Sequence, residues 1–201
     1  MKMRIGTCGR FGVALSSCLI AAMLAGQGTG PARPDLGTPG DEHKVLNPLA
    51  GKWTVEVQIP IAPERTITGR SSCEAKWAFD GRFLRMEYTS TFAGKPLTVV
   101  RYLGFDRAKG QYVEVHFEST HTDVMRSEGD ISKDGKTITC WGEHVDAMAG
   151  KTVKVRTTTT FLDADTFVLE MVYTDSNGKD DKTVKLTHKR VATGSGLREA
   201  R

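Results

Sequence analysis

The sequence predicts an all-antiparallel β-protein of about ten strands, and three observations support this fold class. Apolar and polar residues alternate with a period of two over many short segments that are rich in valine, isoleucine and threonine. Turn pairs such as Asp80-Gly81, Asp134-Gly135 and Asn177-Gly178 separate these segments. No amphipathic segment is long enough to form a helix that would connect parallel strands. Sequential antiparallel pairing is therefore the simplest topology.

The predicted strands follow one another through short turns. Their expected ranges are 52–60, 66–79, 83–92, 97–105, 112–119, 124–132, 137–144, 152–162, 166–174 and 179–191. A twisted sheet of this many strands tends to curl, and closure removes its exposed edges. We therefore expect an up-and-down barrel, with a two-sheet sandwich as the alternative. In front of the first strand, Asp41 is placed to cap a short helix over residues 42–46.

Residues 1–25 are expected to be a secretory signal peptide. Three basic residues lie in the first ten positions, an apolar run over residues 11–25 follows, and small residues come after it. The run is shorter than the ~20 residues that a membrane span needs. We therefore expect a periplasmic or secreted protein whose mature form has no transmembrane span. A lipid anchor on Cys18 is the less favoured alternative, because the apolar run continues past that cysteine.

The rest of the chain is expected to form one domain. Residues 26–40 are rich in glycine, proline and threonine and predict a flexible linker, residues 41–191 form the β-domain, and residues 192–201 form a disordered tail. The chain has 28 Lys and Arg against 24 Asp and Glu, and without the three basic residues of the leader the balance is 25 against 24. Such a near-neutral domain argues against a nucleic-acid partner.

Cys73 and Cys140 are the two cysteines that lie outside the leader. An oxidising compartment would allow a disulfide between them. Two separate buried thiols are the alternative, because free cysteine packs as a small hydrophobe. The sequence leaves both interpretations open.

Gly51-Lys52-Trp53 opens the first predicted strand. This Gly-x-Trp form is similar to the one found in lipocalin-like barrels, where a basic residue from the last strand packs over the tryptophan. Lys189 and Arg190 are the candidates for that role here. We expect Trp53 and Arg190 to form a structural pair that joins the two ends of the β-domain.

Further segments extend this resemblance in a fixed order. They are His43-Lys44, Gly81-Arg82-Phe83-Leu84 with Glu87-Tyr88, Leu103-Gly104-Phe105-Asp106 with Tyr112-Val113, Gly142-Glu143, Asp146 with Gly150-Lys151, and Thr187 with Arg190. Over about residues 43–190 the chain resembles the exported bacterial family called domain of unknown function 1579. The resemblance implies a calycin-like barrel in the cell envelope and no established activity. Relatives tend to have tryptophan and aspartate where this chain has His116 and Glu118, so a ligand shared by the family need not bind here.

The densest polar cluster of the sequence comprises His116, Glu118, His121, Glu143, His144 and Asp146. His116 and Glu118 share one face of a strand, where an imidazole and a carboxylate can bind a divalent metal or act as general acid and base. The plainer interpretation is a solvated polar face, with Val113, Val115 and Phe117 turned to the core. We favour it and assign no metal, no cofactor and no catalytic residue.

Two other motifs are weaker candidates for a ligand-binding site. Residues 175–181 resemble a calcium loop but lack its ligand spacing and its terminal glutamate, so we expect a solvated turn. His188 lies near the end of the last strand, where a histidine can ligate haem, although a lone histidine does not establish that role. The signatures of serine hydrolases, zinc proteases and phosphate-binding loops are absent from the chain.

The fold favours a binding role over an enzymatic one. A barrel of this size has room for one small, partly apolar molecule. Strand parity assigns Tyr88, Tyr102, His116 and Arg156 to the lining of that cavity. A ligandless envelope protein that acts through its surface is the alternative, and an enzyme built on His116 and Glu118 is the third hypothesis.

Overall fold

The computed structural model describes residues 35–62, 64–146, 150–174, 178 and 180–192. Apart from Asp35, they lie in the compact unit Leu36–Arg201. The expected signal peptide with Cys18, most of the expected linker and the tail from residue 193 lie outside the described residues.

The described chain forms one short helix, one 3₁₀ turn and ten strands. Helix α1 spans Asp41–Lys44, and the 3₁₀ turn spans Asn47–Leu49. The strands are β1 (Gly51–Ala62), β2 (Arg65–Ala78), β3 (Phe83–Phe92), β4 (Lys95–Asp106), β5 (Gln111–Glu118), β6 (Met125–Ile131), β7 (Thr137–Asp146), β8 (Lys151–Phe161), β9 (Thr166–Thr174) and β10 (Asp180–Arg190). Within these residues no helix has the length and apolar character that crossing a bilayer requires. The predicted fold class and strand number are confirmed.

The ten strands close into a single antiparallel barrel in which each strand pairs with its neighbours in sequence. The ring is completed by β1 and β10, with Trp53 opposite Arg190 and Gln58 opposite Lys185. Closure leaves neither β1 nor β10 as an edge strand, which removes the unpaired backbone groups that an open sheet would present. The alternative of a two-sheet sandwich is wrong.

Tight turns join the strands, and their backbone conformations explain the residues found there. Ala93 and Gly94 connect β3 to β4 with φ angles of 49° and 78°. Two consecutive positive φ angles are the requirement of a type I′ turn, whose twist matches that of the strands it joins. Gly81 and Gly135, which the sequence marked as turn residues, also have positive φ angles, of 83° and 71°.

One end of the barrel, where β1 begins and β10 ends, is covered by α1 and the 3₁₀ turn, and we call it the capped end. Leu46 and Leu49 are completely buried there. The Trp53 indole donates a hydrogen bond to the Leu49 carbonyl at 2.9 Å, and the Trp77 indole donates one to Asn47 Oδ1 at 3.1 Å. The first bond satisfies an indole N–H that would otherwise be buried without a partner. The opposite end is the far end.

Residues that are directly opposite in neighbouring strands lie on the same face of the sheet, so the register separates the inner from the outer face. The inner face near the capped end is apolar and buried, with Trp53, Val55, Leu84, Met86, Leu103, Ile138, Phe167 and Leu169 among its residues. On β5, however, the inner face carries Tyr112, Glu114 and His116, while Phe117 is exposed on the outer face. The expectation that Val113, Val115 and Phe117 face the core is therefore wrong.

Candidate functional site

A buried ion pair lies on the inner face of the barrel between β4 and β5. Arg101 and Glu114 are 1% and 0% exposed. Arg101 donates from Nε and Nη2 to Glu114 Oε2 at 2.8 and 2.5 Å, and from Nη2 to Thr159 Oγ1 at 3.0 Å. The Thr157 hydroxyl donates to the other carboxylate oxygen of Glu114. Both charges are thus hydrogen-bonded within the protein, which a buried charge requires.

The Glu114 carboxylate stays ionised in this position. Burial by itself opposes ionisation, but the adjacent Arg101 guanidinium, His116 and the Thr157 hydroxyl outweigh it and hold the pKa of Glu114 well below its usual range. The barrel interior therefore contains one fixed negative and one fixed positive charge, both surrounded by apolar and hydroxyl side chains.

Two histidines flank this pair towards the far end. His116 Nε2 lies 3.6 Å from Glu114 Oε2, too far for a hydrogen bond. His144 Nδ1 lies 3.2 Å from Asp123 Oδ2, and the His144 ring contacts the Tyr173 ring with centroids 5.6 Å apart. The Asp123 carboxylate therefore orients the His144 ring and favours a proton on Nδ1.

Three polar atoms beside the pair have no hydrogen-bond partner among the described residues. They are His116 Nε2, His144 Nε2 and Ser127 Oγ, and each is shielded from solvent by protein atoms. Ser127 lies directly opposite Glu114 on the neighbouring strand and opposite Gly142 on the next. A buried polar atom without a partner costs about 1–3 kcal/mol, so such atoms in a folded protein usually bind water or a ligand.

Exposure of the inner polar side chains increases towards the far end. The side chains of Arg101 and Glu114 are at most 1% exposed, those of His116 and His144 are 11% and 15% exposed, and that of Asp123 is 33% exposed. The exposure of these side chains thus rises from the buried pair, through the two histidines, to Asp123. We call these inner residues, Arg101, Glu114, His116, Asp123, Ser127 and His144, the inner polar site.

A second buried polar contact lies deeper, towards the capped end. His188 is completely buried, stacks on Phe167 with centroids 3.8 Å apart, and forms a hydrogen bond between Nε2 and the Tyr88 hydroxyl at 3.1 Å. Burial, and secondly the nearby Arg101 charge, lower the pKa of His188 to about 3, so the ring is neutral at ordinary pH. A haem bond at His188 Nε2 would have to displace Tyr88, while His188 Nδ1 is buried without a hydrogen-bond partner among the described residues.

The four predicted lining residues separate into two pairs. Tyr88 and His116 lie on the inner face, as predicted, although Tyr88 belongs to the deep contact with His188. Tyr102 lies on the outer face, where its ring contacts those of Phe79 and Phe117. Arg156 is exposed on the outer face opposite Trp141. The prediction that Tyr102 and Arg156 line the interior is therefore wrong.

The other polar residues of the predicted cluster do not assemble around His116. Glu118 lies at the rim, where it accepts a hydrogen bond from Thr120 and lies 3.5 Å from His121. Glu143 is exposed on the outer face. Within the part of the chain that the structure describes, no group of three potential ligands is arranged for a metal ion. The side chain of Asp146 and most of the segment 175–181 lie outside the described residues.

The two structural expectations concern Trp53 and the cysteines. The Arg190 guanidinium, and not Lys189, lies over the Trp53 ring at 4.2 Å from its centroid. Arg190 also donates hydrogen bonds to the carbonyls of Pro48, Ala50 and Ala164.

Cys73 and Cys140 are free, buried thiols, and burial raises the pKa of each to about 12. The structure therefore contains the separate thiols and not the disulfide between Cys73 and Cys140.

Sequence reasoning missed Arg101, Glu114, Asp123 and Ser127. A usable signal was present: Arg101 stands between Val99-Val100 and Tyr102-Leu103, and Glu114 stands between Val113 and Val115. Two single charges of opposite sign in the middle of adjacent apolar strands indicate a cross-strand pair, because neither charge would be buried alone.

Comparison with known proteins gives a family and a fold. The family model described as "Protein of unknown function (DUF1579)" matches residues 38–190. Among curated proteins, none matches the chain. The crystal structure of Rv2717c from M. tuberculosis is similar with a TM-score of 0.57 at 16% identity, over 77% of this chain and 100% of that one. A redesigned β-barrel, mFAP1 bound to DFHBI, is similar at 13% identity with a TM-score of 0.39, over 75% of this chain and 100% of that one.

Proposed function

This chain belongs to the DUF1579 family of unknown function, and we propose that it is a binding protein that holds a small, partly apolar molecule at the inner polar site. The observation that carries the proposal is the set of unpaired atoms, His116 Nε2, His144 Nε2 and Ser127 Oγ, on the inner face of a closed barrel. A bound molecule that supplies their hydrogen bonds removes the cost of leaving them unpaired.

The site specifies part of the ligand's chemistry. In the neutral tautomer with the proton on Nδ1 towards Asp123, His144 Nε2 is an acceptor, and the ligand should then present a hydroxyl or N–H donor to it. The Ser127 hydroxyl can donate or accept. Met125, which lies directly opposite His116, and Val99 on the inner face of β4 give the ligand an apolar contact. Arg101 and Glu114 already neutralise one another, so a neutral ligand fits better than an ion.

The same proposal places the protein in the periplasm or outside the cell. The support is the amino-terminal sequence, with its basic start, its apolar run over residues 11–25 and the small residues that follow. Expression of the full chain in a Gram-negative host, followed by cell fractionation and mass measurement, tests this directly. We expect a shortened chain in the periplasmic fraction, and a full-length chain in the cytoplasm would contradict the proposal.

The binding test uses the protein purified from that fraction. Native mass spectra and a visible absorption scan are recorded for the wild type and for His144→Phe and Ser127→Ala. We expect an additional mass on the wild type that disappears on denaturation and that both variants lose wholly or in part. His121→Gln is the matched control, because His121 lies at the rim and contacts Glu118. A wild type with the apoprotein mass alone, or variants that retain the ligand fully, would refute this role.

A second function is supported by a different observation. Four aromatic side chains, Phe79, Phe83, Tyr102 and Phe117, form a continuous strip on the outer face of the barrel, with successive ring centroids 6.0–6.5 Å apart. Phe79 is 65% exposed and Phe117 is 45% exposed. An exposed apolar strip of this kind is typical of a surface that binds another protein. A photo-crosslinking amino acid at position 117 should then capture one partner in cells, while the same group at the exposed Lys185 should not.

A further inference from the structure

A groove on the outer face of the barrel contains an exposed tryptophan. It is lined by Trp141, Gly142 and Glu143 on β7, by Lys154, Val155 and Arg156 on β8, and by Thr174 on β9, and its volume is about 430 Å³. We propose that this groove binds an acidic saccharide, with a sugar ring stacked on Trp141 and its carboxylate bound by Arg156. The site is separate from the inner polar site and does not depend on the function proposed for it.

The indole is presented to the solvent on a strand that holds it in place. Trp141 is 55% exposed. It lies directly opposite Glu128 on β6 and Arg156 on β8, so its backbone is fixed on both sides by the sheet. One face of a pyranose ring is a flat array of C–H groups, which packs on an indole, while the ring hydroxyls point outward to polar neighbours. An exposed indole in a groove, on a strand that is paired on both sides, is the surface that such a ring needs.

The charged residues of the groove have no partner within the described chain. No hydrogen bond or ion pair occurs at the side chains of Glu143, Lys154 or Arg156 among these residues, although Glu143 and Lys154 lie directly opposite one another. Some other charges on the outer face are paired: Glu128 binds Lys109 and Arg126, and Arg85 binds Glu87. The charges beside Trp141 are available to a ligand.

The spacing of these groups fits one sugar ring. Arg156 is level with Trp141 across the sheet, and the pair Glu143 and Lys154 lies two residues farther along the strands, which is about 7 Å. The Arg156 guanidinium presents parallel N–H donors to a carboxylate. Glu143 can accept hydrogen bonds from ring hydroxyls, and Lys154 can donate to them. Two cations against one carboxylate favour an acidic over a neutral saccharide.

Fluorine NMR on the protein labelled with 5-fluorotryptophan tests the proposal on the whole mature chain. The chain has three tryptophans, and Trp141→Phe identifies the signal of Trp141. Trigalacturonate is the acidic probe and maltotriose is the neutral probe of equal length. We expect millimolar trigalacturonate to shift the Trp141 signal, to leave those of Trp53 and Trp77 unchanged, and to bind about tenfold more weakly to Arg156→Gln.

Arg85→Gln is the matched control, because it removes the same charge from the outer face at β3. Its affinity for trigalacturonate should stay within about twofold of the wild type. The absence of any Trp141 shift would overturn the saccharide proposal. Equal binding of maltotriose, or equal weakening by Arg85→Gln and Arg156→Gln, would overturn the specific role of the carboxylate and Arg156. Binding of a ligand at the inner polar site should be unchanged in Trp141→Phe, so the two binding proposals are tested independently.

Discussion

Replacing His188 with Phe is expected to remove a large part of the acid sensitivity of the fold. The neutral His188 ring stacks on Phe167, contacts the edge of Trp53 and is hydrogen-bonded to Tyr88, and the Arg101 charge acts on it as well. A proton on this ring would place a second positive charge in the barrel interior. Phe preserves the stacking surface and cannot be protonated.

The magnitude follows from the pKa of His188, which burial, then Arg101, lower from 6.5 to about 3. Between these two values the unfolded chain binds the proton and the folded chain does not. Stability therefore rises with pH across this window and is lost on acidification, by about 1.4 kcal/mol for each pH unit. From about pH 7 to pH 5, the wild type should lose about 2 kcal/mol through His188.

Other titratable groups contribute little to the difference in pH dependence between the wild type and His188→Phe. The pKa of His43 is also lowered, mainly by burial, but His43 is present in both. Glu114, whose pKa lies well below its usual range, contributes stability that is lost only below its unfolded pKa of about 4.3. Between about pH 5 and pH 7, the change in the free energy of unfolding therefore reports on His188 and not on Glu114.

Urea unfolding followed by tryptophan fluorescence at pH 5, 6 and 7 measures the effect. The comparison uses the change in the free energy of unfolding between pH values, because the lost Tyr88 hydrogen bond lowers the stability of the variant at every pH. His188→Gln provides a second neutral variant, and His121→Gln at the rim is the control that should keep the wild-type slope. An unchanged slope in both His188 variants would refute the argument.

Three further predictions concern the buried pair, the capped end and the thiols. Glu114→Gln should lower the free energy of unfolding by about 3–5 kcal/mol, because the Arg101 charge stays buried without its partner. Adding Arg101→Met should recover most of this loss. Urea unfolding measures both variants, and a double variant as unstable as the single one would contradict the prediction. Arg190→Lys should cost about 1–3 kcal/mol in thermal unfolding, because an ammonium cannot keep all the carbonyl bonds; an unchanged Tm would contradict it. Cys73 and Cys140 should resist iodoacetamide in the native state and react fully in denaturant, and a disulfide-linked peptide pair would disprove the assignment.

The strand positions could be predicted from the sequence because their determinants are local. Turn glycines with positive φ, such as Gly81 and Gly135, mark where strands end, and the alternation between them marks the strands themselves. Closure into a barrel followed from the number of strands and the need to pair their edges. None of these inferences required knowledge of which residues meet across the barrel.

The faces of the strands could not all be predicted, because the alternation gives the period but not which set of residues is buried. On β5 the apolar set is Val113, Val115 and Phe117, yet the polar set faces inward because Arg101 neutralises Glu114. On the outer face, Phe117 is 45% exposed and its ring contacts that of Tyr102. A charge pair between strands and an aromatic contact between strands therefore reverse the assignment that hydrophobicity alone would make.

The orientation of Arg156, by contrast, could have been predicted. On β8 the inner face carries Val153, Val155 and Phe161 together with Thr157 and Thr159, while the outer residues are polar. The alternation of Val153 and Val155 with Lys154 and Arg156 therefore places Arg156 on the outer face. The pairing of β7 with β8 sets it opposite Trp141.

The pairing of β1 with β10 also determines when this protein can finish folding. Thr54 bonds a residue 135 positions later in the chain, and bringing such distant segments together costs about 2 kcal/mol more chain entropy than forming a hairpin of ~10 residues. Such non-local pairing makes folding slow. Because β10 is the last of the ten strands to be synthesised, β1 keeps an open edge until β10 has left the ribosome. The barrel can therefore close only after all ten strands are available, and until then the edge of β1 is exposed to other chains.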